Sequence, residues 1–336
     1  MKAVKRICAV LVGLVFFVAG LLKLIDPVGA GLVVEEYFKF MHIGFMMPLA
    51  KAVGVGMALL ETLLGAALLA GVWPRVVGPL VGLVLLAFTG LTLVLWIRNP
   101  AMDCGCFGQA VHLTHFQSFA KNVAMCLLWL VAYLPMRSVP LPRKVKYVSF
   151  SIAAISVAAF TVFSMNSIPG FDFTAFKPGA MLMQAQQEPS PGSPLLSICD
   201  ADGTYRDDLL ARGLVMVVSA YDYDKLPQSA LERIKEFRSS LPLGSMLVAS
   251  GSELPWGAYS SDRRTLMTVN RSNGGATLLS DGLIVAKWPL SKLPSAQDVS
   301  ALAELDATEA MMKANSPRRL GTQAFLLYVT AVLLLL

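Results

Sequence analysis

Five long apolar stretches constrain this chain more than any other feature of its sequence. They cover residues 7–25, 45–71, 76–97, 116–135 and 147–165. A helix that spans a bilayer needs about 20 apolar residues, and each stretch comes close to that length. Hydrophobic residues make up 55% of the 336-residue chain and charged residues only 15%, far from an average soluble protein. The sequence therefore predicts an integral membrane protein with five spanning helices.

The two ends of the chain are less decisive. The stretch at 7–25 follows the basic start MKAVKR, as the core of a secretory signal does, but it is long enough to span and further spans follow. We therefore expect it to remain as the first helix. The last apolar segment, 323–336, is shorter than a full span. We expect a span cut short there rather than a shallow surface anchor.

Basic residues cluster at the ends of the apolar stretches. Residues 1–165 hold 13 Lys or Arg and 5 acidic residues, whereas 166–336 hold 15 and 17. Such basic clusters mark the cytoplasmic ends of spanning helices and report topology rather than nucleic-acid binding. The residues concerned are Lys2, Lys5, Arg6, Arg75, Arg137, Arg143, Lys144 and Lys146. We expect a cytoplasmic N-terminus, with the loops 26–44 and 98–115 on the other side.

After the membrane domain, residues 1–165, the composition changes. Residues 166–194 are rich in Pro, Gly, Gln and Ser and are predicted to form a linker on the outer side of the membrane, and 195–320 to form a soluble domain on that side, in the periplasm. Its pattern predicts strands at 214–220, 245–249, 276–279 and 283–288 and helices at 227–240 and 295–314. This order, a βαβ unit, a hairpin and a helix, is that of α/β thioredoxin-like folds.

The predicted soluble domain lacks the usual thioredoxin chemistry. A working thioredoxin carries Cys-x-x-Cys between its first strand and first helix, and here residues 221–227 read YDYDKLP. The proline that usually precedes the hairpin is also missing from 272–275. Cys199 is a single thiol in an apolar stretch, which favours a buried structural residue. We expect this domain to have no dithiol activity of its own.

The most informative motif is Asp103-Cys104-Gly105-Cys106-Phe107-Gly108, in the loop between the third and fourth spans. Two thiols one residue apart can close a disulfide only through a small strained ring, and strain makes a disulfide easier to reduce. Gly105 supplies the backbone freedom that this ring needs. The motif therefore indicates a redox-active pair. The alternative is a static surface disulfide or two unreactive thiols.

The start of the next helix would support that chemistry. Thr114 and Gln117 match a capping box, and the positive end of a helix dipole favours a thiolate over a thiol. Lys121, nearly two turns into the helix, is predicted to add positive charge near the sulfurs.

A metal site is a second interpretation of the same loop. Cys104, Cys106, His112 and His115 supply four candidate ligands for zinc or copper within twelve residues. Their spacing is no common zinc pattern, so we expect no bound metal, and interfacial histidines are usually polar caps.

Two ionisable residues fall within predicted spans. Glu61 lies well inside the second span, where a charge is costly enough to suggest a function. A protonated Glu61 hydrogen-bonded inside the bundle is an equal alternative. Lys23 lies near the outer end of the first span and can extend to the interface. The depths differ, which argues against a Lys23–Glu61 pair. Cys8 and Cys126 are expected to be packing residues.

These residues carry a resemblance to a known family. GLLKLIDP at 20–27, Leu60-Glu61, and Asn99-Pro100 followed by DCGCFG at 103–108 resemble the DoxX-like, MauE-type membrane proteins over about the first 165 residues. The resemblance implies a four-helix core, here with additional transmembrane helices, in the bacterial inner membrane, and a role in periplasmic redox or disulfide maturation, as in methylamine dehydrogenase assembly. PGFDF at 169–173 and GLIVAKW at 282–288 are similar to longer members with a fused thioredoxin-like domain.

Two functional hypotheses follow. In the first, Cys104 and Cys106 exchange disulfides with a periplasmic protein, with Asp103, Gly105, Phe107, Gly108, Lys121, Glu61 and Lys23 as supporting residues. No cofactor is expected to be permanently bound, but the relay needs an electron sink, for which a membrane quinone or another protein's thiols are the candidates. In the second, the protein is a non-catalytic scaffold whose soluble domain binds another envelope protein. Whether it is an enzyme stays open at this point.

Overall fold

The computed structural model describes residues 2–134, 142–182 and 193–335. Arg137, Pro135, Leu336 and the part of the predicted linker at 183–192 lie outside the described residues. The chain forms two compact units. The membrane unit consists of residues 1–165 with 323–336, and the second unit of residues 166–322.

The described part of the membrane unit is helical at each predicted span. Its helices are α1 (Lys2–Ile25), α2 (Pro27–Phe40), α3 (Ala50–Ala70), α4 (Pro74–Arg98), α5 (His115–Tyr133) and α6 (Lys144–Met165). Within the described residues, four segments are long and apolar enough to cross a membrane: Ala3–Ile25, Gly44–Ala70, Pro74–Arg98 and Lys144–Met165. Helix α5 is not among them because its first half is polar, so its crossing of the bilayer stays a prediction.

Helix α2 was not predicted, because its segment was interpreted as an outer loop. Asp26 caps its N-terminus by accepting a hydrogen bond from the Gly29 amide at 2.9 Å, and Pro27 occupies the first turn. The dipeptide at 26–27 is therefore a helix start directly after α1 ends. Most of the small and apolar residues of α2 are buried, and one of its half-buried residues, Tyr37, reaches the cysteine loop.

Helices α1 and α3 pack with their backbones close together. A Cβ atom at Gly20 would lie 2.6 Å from the Thr62 amide nitrogen, and one at Gly65 would lie 2.4 Å from the Phe17 nitrogen. Small residues let helix backbones approach in this way within membranes, where packing rather than the hydrophobic effect holds helices together. The close crossing brings the C-terminal half of α1 against the middle of α3.

The predicted helix at 295–314 is wrong as a single element. Helix α9 (Ala296–Ala303) ends at Glu304, and α10 (Ala307–Leu335) begins three residues later. Asp306 causes the break, since its carboxylate accepts hydrogen bonds from the Thr308 and Glu309 amides and caps a new helix. The short apolar segment predicted at 323 onward is the last part of α10.

The second unit is built on a five-stranded mixed sheet of order β4-β3-β2-β5-β6. Its strands are β2 (Leu214–Ala220), β3 (Gly244–Ala249), β4 (Tyr259–Ser260), β5 (Gly275–Ser280) and β6 (Leu283–Trp288), and its further helices are α7 (Gln228–Ser240) and α8 (Arg263–Val269). Strand β2 runs parallel to β3 and antiparallel to β5. Successive residues of β2 point to opposite faces of the sheet, so Met216 and Val217 enter two separate cores. An α/β domain is therefore present, and the thioredoxin-like assignment stays a prediction.

Residues 166–182, predicted as part of the linker, belong to the second unit. The Leu182 amide donates to the Gly282 carbonyl at 2.9 Å, which places this segment against β6. The Lys287 ammonium lies 2.6 Å from the Asp172 carboxylate in a largely buried ion pair. Burial would raise the pKa of Asp172, but the charge and hydrogen bond of Lys287 and the hydrogen bonds from Thr174 together outweigh it, so the net shift is downward. This pair joins the two short motifs that resemble longer family members.

Candidate functional site

The two cysteines lie in the loop that joins α4 to α5. The glycines of this loop allow its backbone conformation and its close packing against neighbouring helices. Gly105 has a φ of +62°, a conformation that a side chain makes costly. A Cβ atom there would also lie 2.3 Å from Val33 Cγ1 of α2. The short strand β1 (Cys106–Gln109) follows, and its Gly108 comes close to Lys23 of α1. The loop is thus packed against α1 and α2.

Cys104 and Cys106 are free thiols whose sulfur atoms are 2.7 Å apart. This separation is about 0.7 Å longer than a disulfide bond, so oxidation needs little movement of the loop. Cys104 is buried, with 4% of its surface exposed, whereas Cys106 is partly exposed. The Tyr37 hydroxyl donates a 2.6 Å hydrogen bond to the Cys104 carbonyl oxygen and fixes the loop from the α2 side.

The surroundings of the two thiols shift their pKa values in opposite directions. The hydrogen bond from Cys104 lowers the pKa of Cys106 to about 5, and the charges of Lys121 and Lys23 act in the same direction against burial. The pKa of Cys104 is raised well above its ordinary value, by the same hydrogen bond and by burial. The two shifts favour Cys106 as the thiolate and Cys104 as the thiol that keeps its proton.

Lys23 and Glu61 form a buried ion pair, contrary to the expectation from the sequence. The Lys23 ammonium lies 2.8 Å and 2.7 Å from the two carboxylate oxygens of Glu61, and the side chains are 13% and 5% exposed. Counting depths along two separate spans missed this pair, because the close α1–α3 crossing and the length of the lysine side chain bring the groups together. The pair satisfies both charges inside the membrane unit.

The thiols and the ion pair line one cavity of about 210 Å³. We call it the Cys cavity: Cys104, Gly105 and Cys106 border it, as do Lys23 and Glu61, and apolar side chains of α1 to α5 form most of its wall. A site at which two thiols and a buried ion pair share an apolar cavity is a candidate for a binding or reaction centre.

Helix α5 adds polar groups to this site. The predicted capping box of Thr114 and Gln117 is confirmed, and it fixes the first turn of α5 beside the cysteine loop. Lys121 reaches the Cys cavity and lies over the Phe107 ring, with its ammonium 5.0 Å from the ring centre. Asn122, also on the cavity wall, is buried and donates to the Thr92 hydroxyl at 3.2 Å.

Ser118, Asn122 and Tyr37 were not found from the sequence. Ser118 is fully buried and lowers the pKa of both thiols, although its hydroxyl has no hydrogen-bond partner of ordinary geometry among the described residues. Ser118 and Asn122 lie four residues apart on one face of α5, and Lys121 follows Ser118 by three residues, so this spacing was the available signal. The contact of Tyr37 with the cysteine loop could not be predicted because α2 itself was not predicted.

The alternative metal site is not formed. His112 instead lies 3.1 Å from the Asp103 carboxylate in an exposed pair, and the His115 Nε2 lies 3.0 Å from the Pro100 carbonyl oxygen. Within residues 2–134, 142–182 and 193–335, no group of three or more His, Cys, Asp or Glu side chains is placed to hold a metal ion. The Asp103 carboxylate therefore pairs with His112 in this structure rather than with the thiols.

The three remaining cysteines lie in separate places. Cys8 is buried in the core of the membrane unit, and Cys126 packs against that core with its sulfur 3.4 Å from the Thr89 hydroxyl. Cys199 belongs to the second unit, where its backbone pairs with Ser260. The positions of Cys8 and Cys126 agree with the packing roles expected of single cysteines, whereas Cys199 is half-buried rather than buried as expected.

The matched region of the chain contains the whole Cys cavity. Residues 1–135 match the family model described as Methylamine utilisation protein MauE. The MauE match therefore confirms the resemblance seen in the sequence and covers α1 to α5 with the cysteine loop. It associates this part of a membrane protein with methylamine utilisation, and it does not include α6 or the second unit. No curated protein matches the chain significantly.

The low pKa of Cys106 should be visible in the pH dependence of its alkylation. We expect alkylation of Cys106 by iodoacetamide to rise with a midpoint near pH 5 and to be flat above neutral pH, because the thiolate is the nucleophile and its pKa is about 5. In Cys104→Ala the midpoint should move upward, since the stabilising hydrogen bond is lost. Mass spectrometry of the labelled peptide gives the rate, and Cys126→Ala is the control that should not change it. A wild-type midpoint near the ordinary value of about 8.5 would contradict the assignment.

Proposed function

We propose that the MauE region is a thiol–disulfide exchange centre of the bacterial inner membrane, with its cysteine loop on the periplasmic side. The observation that supports this most is the pair of free thiols whose sulfur atoms lie 2.7 Å apart in one loop. Exchange needs a nucleophilic thiolate and a second thiol that resolves the mixed disulfide. The partner is a periplasmic protein with its own thiols, and the role is maturation of disulfides or redox centres.

In this mechanism Cys106 forms the covalent bond to the partner. Cys106 is the more exposed residue and carries the more acidic thiol of the two, and an attacking thiolate must be both ionised and accessible. Cys104, buried beside it, then attacks the mixed disulfide and releases the partner. The reverse reaction passes through the same mixed disulfide, so Cys106 carries the partner in either direction of electron flow.

Trapping tests the assignment. Cys104→Ser should accumulate a mixed disulfide between Cys106 and a periplasmic protein, because the resolving sulfur is gone. Cys106→Ser should trap at least tenfold less, since the remaining thiol is buried and protonated. Non-reducing gels with mass spectrometry of the captured species measure both, and Cys199→Ser should behave as wild type. If neither variant captures a partner and the wild-type pair does not titrate between thiol and disulfide, exchange is excluded.

A non-catalytic scaffold is the second candidate. The residues that follow β2, at 221–227, contain no cysteine, and Cys199 is the single cysteine in the sequence of the second unit. A lone thiol cannot complete a dithiol cycle, which favours binding of an envelope protein over chemistry in that unit. The trapping experiment separates the two candidates, because a scaffold whose cysteines only brace the loop captures nothing.

A further inference from the structure

The Cys cavity has the size and wall of a site for one small ring. Its volume of about 210 Å³ exceeds the roughly 150 Å³ of an engineered apolar cavity that holds benzene. Phe88 of α4, Met57 of α3 and Met125 of α5 are among the apolar side chains on its wall. The cavity lies inside the unit that contains the four membrane-spanning segments, so lipid-soluble molecules are the natural supply of ligands.

Two hydrogen-bond donors of α5 face the cavity and are incompletely used. Asn122 has two amide N–H groups, and among the described residues it donates only to Thr92. Lys121 contacts the Phe107 ring, and its ammonium makes no hydrogen bond or ion pair within residues 2–134, 142–182 and 193–335. A hydrocarbon tail would leave these donors unsatisfied, which is costly in an apolar cavity. A ligand with carbonyl oxygens satisfies them.

We propose that the Cys cavity binds the head group of a membrane quinone and that this quinone accepts the electron pair of Cys104 and Cys106. The inference rests on the proposed exchange function and extends it by naming the electron acceptor. The sulfurs border the cavity directly, so a bound ring contacts them without movement of a domain. Electrons then flow from the periplasmic partner through the cysteine pair into the quinone pool.

The Cys106 thiolate and the Cys104 thiol together give up two electrons and form the Cys104–Cys106 disulfide, while the quinone is reduced to the quinol. The quinol gains two protons: one leaves the Cys104 thiol, and the other leaves the Lys121 ammonium, which recovers it from water. Asn122 donates a hydrogen bond to the quinone oxygen and to the quinol oxygen that replaces it. Partner thiols then reduce the disulfide by exchange.

The test uses the full chain in lipid nanodiscs with decylubiquinone as the probe. Reduced wild-type protein should form one quinol, followed by its ultraviolet absorbance, for each Cys104–Cys106 disulfide found by mass spectrometry. Met57→Trp fills the cavity and should slow quinol formation at least tenfold. Leu60→Trp, on the same helix but 47% exposed and not on the cavity wall, should stay within twofold of wild type.

A second variant and a binding measurement keep the test decisive if Met57→Trp fails to fold. Asn122→Leu should slow quinol formation at least fivefold while capture of the partner in the Cys104→Ser background persists. An azido-quinone should photolabel α3 or α5 in the thiol-free Cys104→Ala/Cys106→Ala protein, and Met57→Trp should abolish the label.

The outcomes separate this inference from the proposed function. Absence of both quinol and photolabel overturns the quinone site, and continued partner capture then leaves exchange intact. Photolabelling without quinol formation also overturns it, because a bound quinone would not be the acceptor. Quinol formation without partner capture keeps the quinone step and removes the protein partner.

Discussion

Lys23→Met should lower the unfolding free energy of the membrane unit by about 3–5 kcal/mol, the usual cost of removing one partner of a buried ion pair. The change leaves the Glu61 carboxyl buried without the ammonium that now contacts both of its oxygens at 2.7–2.8 Å. The measurement is equilibrium unfolding of the full chain in mixed micelles. Lys51→Met, at an exposed lysine of α3, makes the same substitution and should change stability by less than about 0.5 kcal/mol.

The double variant Lys23→Met/Glu61→Leu distinguishes a structural from a functional pair. Replacing both buried charges by apolar residues of similar size is often neutral for stability. We expect the double variant to unfold close to wild type, and the pKa of Cys106 to be higher than in wild type because Lys23 no longer favours the thiolate. If the single and double variants lose the same stability, the ion pair is not the cause of the loss.

Gly105→Ala should disrupt the cysteine loop more than any other single methyl addition near the site. A non-glycine residue at the φ of +62° costs about 1–2 kcal/mol, and overlap of the new Cβ with Val33 Cγ1 at 2.3 Å adds about 1–3 kcal/mol. Since about 1.4 kcal/mol is a factor of ten, the present loop conformation should become at least tenfold rarer. We expect partner capture in the Cys104→Ser background to fall by at least that factor.

The variant pair Val33→Ala/Gly105→Ala separates the two costs. It removes the overlap and keeps the unfavourable backbone angle, so capture should recover only in part. Gly90→Ala is the matched control, because a Cβ atom there meets nothing within 4 Å and the residue lies inside α4, where alanine is favoured. Full capture by Gly105→Ala would show that the loop does not need its present backbone conformation.

The elements of this protein were predictable where local chemistry alone defines them. Apolar length located the spans, the Thr114–Gln117 capping box located the start of α5, and strand periodicity located the sheet of the second unit. Prediction failed where an aspartate caps the N-terminus of a new helix soon after another helix ends. Asp26 begins α2 inside a segment that looked like a loop, and Asp306 divides what looked like one helix.

The candidate site was predictable in its pair of cysteines but not in its assembly. Sequence spacing identified Cys104 and Cys106 and suggested that Lys121 lies near them. The partnership of Lys23 with Glu61 depends on the distance between two helix axes, which no local pattern encodes. The contribution of Tyr37 depends on a helix that was itself missed. Long-range packing therefore decided the parts that local reasoning did not find.

The buried ion pair also bears on how the chain enters the membrane during synthesis. Helix α1 emerges before α3 and carries Lys23 near its C-terminal end, where the ammonium can stay among lipid headgroups until Glu61 arrives. Glu61 lies in the middle of α3, and a lone charge at such a depth costs about 2.5–3.5 kcal/mol on insertion scales. An α3 that reaches the insertion machinery beside α1 avoids that penalty, so the order of translation itself lowers the barrier to insertion of the later helix.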